Sequence, residues 1–238
     1  MTAGEIALVA GVGPGLGSAL ARRFARAGMS VALAARDGAR LEPLAKELSE
    51  LGGKGRAYGC DVTDEGPVEN LFGQIKADLG EPNLVVYNAG AFAPGSILEI
   101  EARDFERCWK VGCLGGFLVG RAAARLMVAR GSGTILFTGA TASLRGSANF
   151  ANLAVGKFGL RALAQSMARE LGARGVHVAH IIIDGEILSE RYSHLAEERP
   201  PDSLLAPDDI AEAYYQLHRQ PRSTWTHELD LRPWVEKF

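Results

Sequence analysis

The residues best able to do chemistry lie where short apolar runs end. The first set is Gly11-Val12-Gly13-Pro14-Gly15-Leu16-Gly17, which follows the apolar run Ile6–Ala10 and opens an amphipathic stretch. Gly11 permits a tight turn, Gly15 lets backbone approach a pyrophosphate, and Gly17 lets a helix pack close on the strand. A helix starting there offers free N–H groups and a positive dipole end to an anion. The second set is Ala34-Ala35-Arg36-Asp37. A carboxylate at such a strand end holds a ribose 2′-hydroxyl, whereas an Arg accepts a 2′-phosphate with its planar fork. Asp61-Val62, Asn88-Ala89-Gly90 and Asp184-Gly185 also close apolar runs, and Lys157 sits within a long helical pattern.

The elements that must position these groups alternate. Strands are expected at Ile6–Ala10, Val31–Ala35, Arg56–Cys60, Leu84–Tyr87, Thr134–Thr138, Val176–Ile183 and Thr226–Arg232. Between them, apolar residues recur with helical spacing over 15–28, Arg40–Leu51, Val68–Leu79, Asp104–Arg130, Phe150–Leu171 and Pro207–Arg219. This alternation implies βαβ units with right-handed crossovers. The expected fold is a single α/β domain over residues 1–238, a doubly wound, mainly parallel Rossmann-type sheet of about seven strands. Residues 186–206 form the one long connection, polar and irregular, and long connections of this kind often serve as lids.

Taken together, these marks resemble the short-chain dehydrogenase/reductase family, and the resemblance runs from Ile6 to about Leu231. The family's TGxxxGxG turn is matched from Gly11 to Gly17, with Ala10 in place of the Thr. Asp61-Val62 stands where the family contacts adenine. Asn88-Ala89-Gly90 stands where it has NNAG, with Tyr87 in place of the first Asn, and Asp184-Gly185 stands where it has Pro-Gly. The resemblance implies a bound NADP(H), in preference to NAD(H), because the position that carries Asp in NAD-preferring relatives is Ala35 and Arg36 follows it. The residues implied for the cofactor are Gly11, Gly13, Gly15, Leu16, Gly17, Arg36, Asp61, Val62, Asn88, Ala89, Gly90, Lys157, Gly185 and Ile187.

The departures concern catalysis. The family pairs a Tyr with a Lys four residues on, a Ser thirteen residues before the Tyr, and an Asn on the preceding long helix. Here Lys157 fits the Lys, but Leu153, Ala140 and Gly112 occupy the other three positions. Leu153 cannot move a proton, and Ala140 has no hydroxyl for an oxyanion. Losing a general acid costs about 10²–10⁴ in rate. Lys157 is left to bind ribose hydroxyls. Thr141, Ser143, Ser147, Asn149, Glu186, Tyr192 and His194 are candidate substitutes, each more simply read as a packing or solvent contact. His177 and His180 read as structural, and no His, Cys or carboxylate spacing suits a metal. The expectation is an NADP(H)-binding oxidoreductase of unknown small-molecule substrate with a degraded catalytic site. Alternatives are an inactive nucleotide-binding or regulatory protein, or a non-redox enzyme on the same scaffold.

Composition sets the remaining bounds. The chain has 238 residues with 26 Lys+Arg against 28 Asp+Glu, so nothing basic argues for nucleic acid or an anionic membrane. Gly is frequent, 29 in all, as tight turns and close backbone approaches require. The cysteines, Cys60, Cys108 and Cys113, form neither a disulfide framework nor a zinc spacing, so a reducing cytoplasm is expected. No signal peptide and no membrane span are expected. The helical patterns Asp104–Arg130 and Phe150–Leu171 carry apolar residues over wide arcs, including Phe117, Leu118, Phe158 and Leu163. A second apolar side must be buried. With the family's habit of pairing these helices, this suggests a homodimer or a tetramer of dimers.

Overall fold

The computed structural model describes residues 4–189 and 192–236. Its strands are β1 (Ile6–Ala10), β2 (Ser30–Ala35), β3 (Lys54–Gly59), β4 (Leu84–Tyr87), β5 (Gly133–Thr138), β6 (Val176–Ile183) and β7 (Glu228–Leu231). Among the described residues they form one sheet in the order β3-β2-β1-β4-β5-β6-β7. All six pairings are parallel. The central strands are apolar throughout because both faces are covered; Leu8, Val9, Val85 and Val86 have no solvent contact.

The longer helices are α1 (Leu16–Arg26), α2 (Glu42–Glu50), α3 (Glu65–Asp78), α4 (Ala102–Trp109), α5 (Gly115–Arg130), α6 (Ala151–Leu171), the short α7 (Ser193–Glu198) and α8 (Pro207–His218). One core lies between the sheet and α3, α5 and α6, around Leu71, Val119, Phe137 and Leu160. The other lies between the sheet and α1, α2 and α8, around Leu20, Phe24, Leu48 and Tyr214. The strand order reverses between β1 and β4, so a crevice opens at their C-terminal ends, the place where doubly wound sheets bind ligands.

Several expected boundaries shift for local reasons. The third strand runs Lys54–Gly59 rather than 56–60, because its ladder follows β2 from Ser30 to Ala35 and leaves Cys60 beyond the last pair. Helix α3 starts earlier than expected because the Asp64 carboxylate accepts from Gly66 N at 3.1 Å. The single helix expected over 104–130 is interrupted by a π-helical turn, Lys110–Leu114. That turn is held by Tyr87, whose hydroxyl donates to the Val111 carbonyl at 2.5 Å. A Cβ on Gly115 would stand 2.3 Å from that hydroxyl, so glycine is what admits the phenol.

The connection 186–206 is less irregular than expected, since it contains α7 and an Ile187–Leu205 bridge; its Glu190 and Arg191 lie outside the described residues. The expectation about membrane spans also needs correcting. By length and composition the continuous helix Ala102–Arg130 is long and apolar enough to cross a bilayer. In this fold α5 instead packs on β4, β5 and α3, and α4 packs on α6.

Candidate functional site

The crevice is a cleft of about 1040 Å³. The β1–α1 turn forms its floor. Gly11 has φ +98°, and a Cβ there would stand 2.3 Å from Ala89 N. A Cβ on Gly17 would stand 2.8 Å from Val12 Cα, so this glycine seats α1 on the turn. At Gly13 and Gly15 nothing lies within 4 Å of the Cβ position. No side chain caps the start of α1, and its first turn carries no acid. An uncapped helix N-terminus beside open glycine backbone fits a pyrophosphate.

The turn is tied to the end of β4. Asn88 Nδ2 donates to Gly11 O at 2.9 Å, and its backbone N–H donates to Ala10 O at 2.8 Å. Asp61 is shaped by the backbone N–H and hydroxyl of Thr63, which donate at 2.9 and 2.7 Å; these bonds hold its carboxyl below the usual carboxylate range. The structure therefore brings Gly11, Gly13, Arg36, Asp61, Val62, Asn88, Ala89 and Gly90 to one cleft. Gly15, Leu16 and Gly17 lie behind it in the turn. Gly185 and Ile187 do not line it; a Cβ on Gly185 would meet Pro233 Cδ at 2.8 Å, and Ile187 bridges to Leu205.

Cations at the cleft's far end come partly from places the spacing did not mark. Arg36 and Arg40 are exposed and line the cleft, with no hydrogen bond or salt bridge among the described residues. Arg22 and Arg107 also line it. Arg22 is occupied by Glu47, with bonds of 2.7 and 3.0 Å that hold the Glu47 carboxyl low. Arg107 pairs with Asp104 at 3.1 Å. Arg40 follows Arg36 by four residues, a spacing that could have flagged it; Arg22, Glu47 and Arg107 left no sequence signal, since they meet only across elements.

Lys157 lies deeper, on α6 against the end of β5, and does not line the cleft. It is 6% exposed, and its Nζ donates to Thr138 O at 2.7 Å. Burial alone pulls its pKa down to about 8. Leu153 and Ala140 are half-buried. Gly112, in the π-turn, faces Gly156 so closely that a Cβ would stand 3.2 Å from Gly156 Cα.

Three of the seven candidate substitutes have side chains committed elsewhere. The Thr141 hydroxyl donates to Asp184 Oδ1 at 2.5 Å, and Asp184 pairs with Arg232 at 3.1 Å. Ser143 is fully buried between Ala140 N and His180 Nε2. Glu186 pairs with Arg199 at 2.5 Å. Ser147, Asn149 and His194 are exposed, and Tyr192 is half-buried on the lid. Asn149 adopts φ +66° while its carbonyl accepts from Gly95 N. His177 bonds Thr226 O at 2.8 Å and stacks on Trp225, and His180 is fully buried. Among the described residues no cluster suits a metal ion.

Comparison with known proteins agrees with this geometry. The profile of the short chain dehydrogenase family matches residues 5–197. A short-chain dehydrogenase/reductase of Armillaria gallica is 33% identical over 194 residues, 80% of this chain and 74% of its own. The 3-oxoacyl-[acyl-carrier-protein] reductase of Salmonella typhimurium is 29% identical over 234 residues, 94% of each chain. Among solved structures, a short-chain dehydrogenase from Rhodopseudomonas palustris is 40% identical with TM-score 0.84, covering 97% of this chain and 99% of that one. A metagenomic short-chain oxidoreductase solved with NADP is 26% identical with TM-score 0.85, covering 98% and 99%.

Proposed function

The chain belongs to the short-chain dehydrogenase/reductase family, and from that premise we propose an NADP(H)-dependent oxidoreductase whose proton-transfer groups have been replaced. The observation that carries the reading is the cleft itself. It joins an uncapped helix N-terminus and open glycine backbone to two guanidiniums, Arg36 and Arg40, that make no hydrogen bond or salt bridge among the described residues. The turn from Gly11 to Gly17 would hold the pyrophosphate, and Asp61 with Val62 the adenine end. Asn88, Ala89 and Gly90 would flank the nicotinamide end, with Gly185 and Ile187 beyond it. Arg36, with Arg40 beside it, would take a 2′-phosphate, and no carboxylate stands at Ala35 to reject one. A bound nicotinamide dinucleotide supplies hydride chemistry; the protein supplies orientation and the proton.

The proton is where this chain departs from its relatives. A ketone reduced beside Leu153 and Ala140 would leave an alkoxide with neither phenol nor hydroxyl to meet it, which an apolar site strongly disfavours. Ordinary ketones and alcohols should therefore turn over slowly, and the same replacements support a second reading as a nucleotide-binding or regulatory protein. The test is a fluorescence titration with NADPH and NADH, then NADPH oxidation across a panel of unactivated and activated carbonyls. Tighter NADPH binding with little turnover of unactivated ketones is expected. Equal affinities would refute the cofactor preference, and robust reduction of simple ketones would refute the replaced-acid reading.

Assembly follows from the outer faces of α5 and α6. Phe117, Val155 and Phe158 are 39%, 45% and 44% exposed, whereas Leu118 is buried in the core. A second copy of the chain seated on those faces would cover them. Light scattering at micromolar concentration should give a dimer or a tetramer, and a monomeric mass would overturn this.

A further inference from the structure

We propose that Lys157 is itself the proton donor of this site, delivering to the substrate oxygen the proton that a phenol delivers in relatives. This rests on the nucleotide-dependent reading above. The side chain is 6% exposed yet has no carboxylate partner among the described residues. A lysine ammonium carries three donors. Only one is spent, on Thr138 O at 2.7 Å. Such a group is a costly feature in a core, and it is kept one helical turn below Leu153, on the same face of α6. Its anchor, Thr138 O, belongs to the residue two before Ala140, so one hydrogen bond ties the ammonium to the strand end that leads to that position.

The chemistry balances as follows. The substrate carbonyl carbon takes a hydride from a reduced nicotinamide, and the C=O π pair moves onto oxygen. That oxygen takes a proton from Lys157 Nζ, whose N–H bond breaks to leave a neutral amine, and solvent water restores the proton between turnovers. A lysine in water holds its proton too tightly for this work, but desolvation weakens that hold, here to a pKa of about 8.

The neighbouring groups whose pKa is shifted are moved away from the range between pH 7 and 9. On β6, His180 is held neutral, with its pKa pulled down to about 4 by burial and by Lys157. On α8, burial pushes the Tyr214 hydroxyl well above its usual value, and on β4 Tyr87 behaves likewise. The Cys113 thiol in the π-turn is pushed up by burial, and Cys108 on α4 is buried. Arg161 and Glu228 pair at 2.7 Å, and Asp184 pairs with Arg232. A break near pH 8 would therefore belong to Lys157. An electron-poor ketone accepts hydride readily and leaves a less basic alkoxide, so it places the least demand on the acid; the substrate class is activated ketones such as α-keto esters and α-dicarbonyls.

The experiment has two readouts. The chain has six lysines, so the ¹³Cε signals of a [¹³C]lysine-labelled sample are resolvable, and the one lost in Lys157→Arg is assigned. It should titrate near 8, well below the usual lysine value of about 10.4. Titration of that signal at the usual lysine value would overturn the proposal. In parallel, NADPH binding is measured by fluorescence. NADPH oxidation is then followed with ethyl benzoylformate from pH 6 to 10. The rate should fall about tenfold per pH unit above the break. In Lys157→Arg, which keeps the charge but cannot release a proton, kcat at saturating NADPH should drop at least about 10²-fold and the break should vanish. Wild-type turnover with no break between 7 and 9 would overturn the proposal, as would an unchanged kcat in the variant or no turnover by a chain that binds NADPH. A wild-type chain that binds no NADPH would instead overturn the oxidoreductase reading itself. Should Lys157→Arg fold poorly, Lys157→Met serves for the assignment, and the wild-type titration and pH profile still decide.

Discussion

Arg36 shows how much one side chain can decide. It follows a strand-end alanine, is exposed, and lines the cleft with no hydrogen bond or salt bridge among the described residues. Its nearby carboxylate is Asp61, which already accepts two bonds from Thr63. A hydrogen bond to a charged group contributes about 1.5–3 kcal/mol. Arg36→Ala should therefore narrow the NADPH-over-NADH preference by about tenfold or more. Arg40, four residues on, is expected to retain part of it. Parallel titrations of wild type and variant with both nucleotides check this, and an unchanged ratio would remove Arg36 from the site. Arg22 makes the contrast. It lines the same cleft but is held by two bonds to Glu47, so it shapes the wall rather than waiting for an anion.

The helix pair beside the site bears on Gly112, the position that the resemblance matches to the family's Asn. The run α4–π-turn–α5 crosses α6 where Gly112 meets Gly156, and each glycine's Cβ position is within 3.3 Å of the other's Cα. The π-turn places Gly112 there, and Tyr87 fixes the turn by donating to Val111 O. Glycine at both points brings the two backbones into close approach, so a side chain at either would need the helices to give by a few tenths of an ångström. Gly112→Asn should therefore fail to restore a proton relay and should destabilise the chain by about 1–3 kcal/mol through overpacking. Urea denaturation with an unchanged m-value and a lower midpoint would report this. A variant as stable as wild type would mean that the helices part easily. Restoring the lost acid is thus better attempted at Leu153 and Ala140, which are only half-buried.

For the molecule as a whole, the buried histidines set a lower limit on pH. Burial lowers the pKa of His177, of His218 beside Glu5, and of His180, the last to about 4. A lowered folded-state pKa means that the unfolded chain binds more protons below its own value near 6.5. The stability contribution is therefore whole above about pH 6.5 and is lost as pH falls toward 4. His180 by itself accounts for roughly 3 kcal/mol over that window. Melting followed by circular dichroism should show Tm falling steeply between pH 6.5 and 4.5, and His180→Gln should flatten part of the slope. A Tm independent of pH across that range would contradict the buried, neutral state of these rings.

Much of this was readable along the chain. The alternation of apolar runs placed β1, β4 and β6 to the residue. The Gly11–Gly17 turn announced a tight strand-to-helix turn with an uncapped helix start, because turn geometry and helix ends depend on neighbours a few positions apart. Leu153, Ala140 and Gly112, which the resemblance matches to the family's Tyr, Ser and Asn, were likewise visible, since reading a residue type needs no coordinates. What folding decided is everything that meets across elements. Whether Lys157 is a surface ammonium or a buried one depends on β5 and β6 closing over α6. Whether Arg22 is a ligand or a wall depends on Glu47 from α2. The π-turn exists because a tyrosine from β4 reaches a helix carbonyl 24 residues on. Periodicity reports which face of an element is apolar, but the order in which strands join the sheet decides which side chains share a space. The electrostatics of Lys157, and with them the chemistry open to this site, arise only from that sharing.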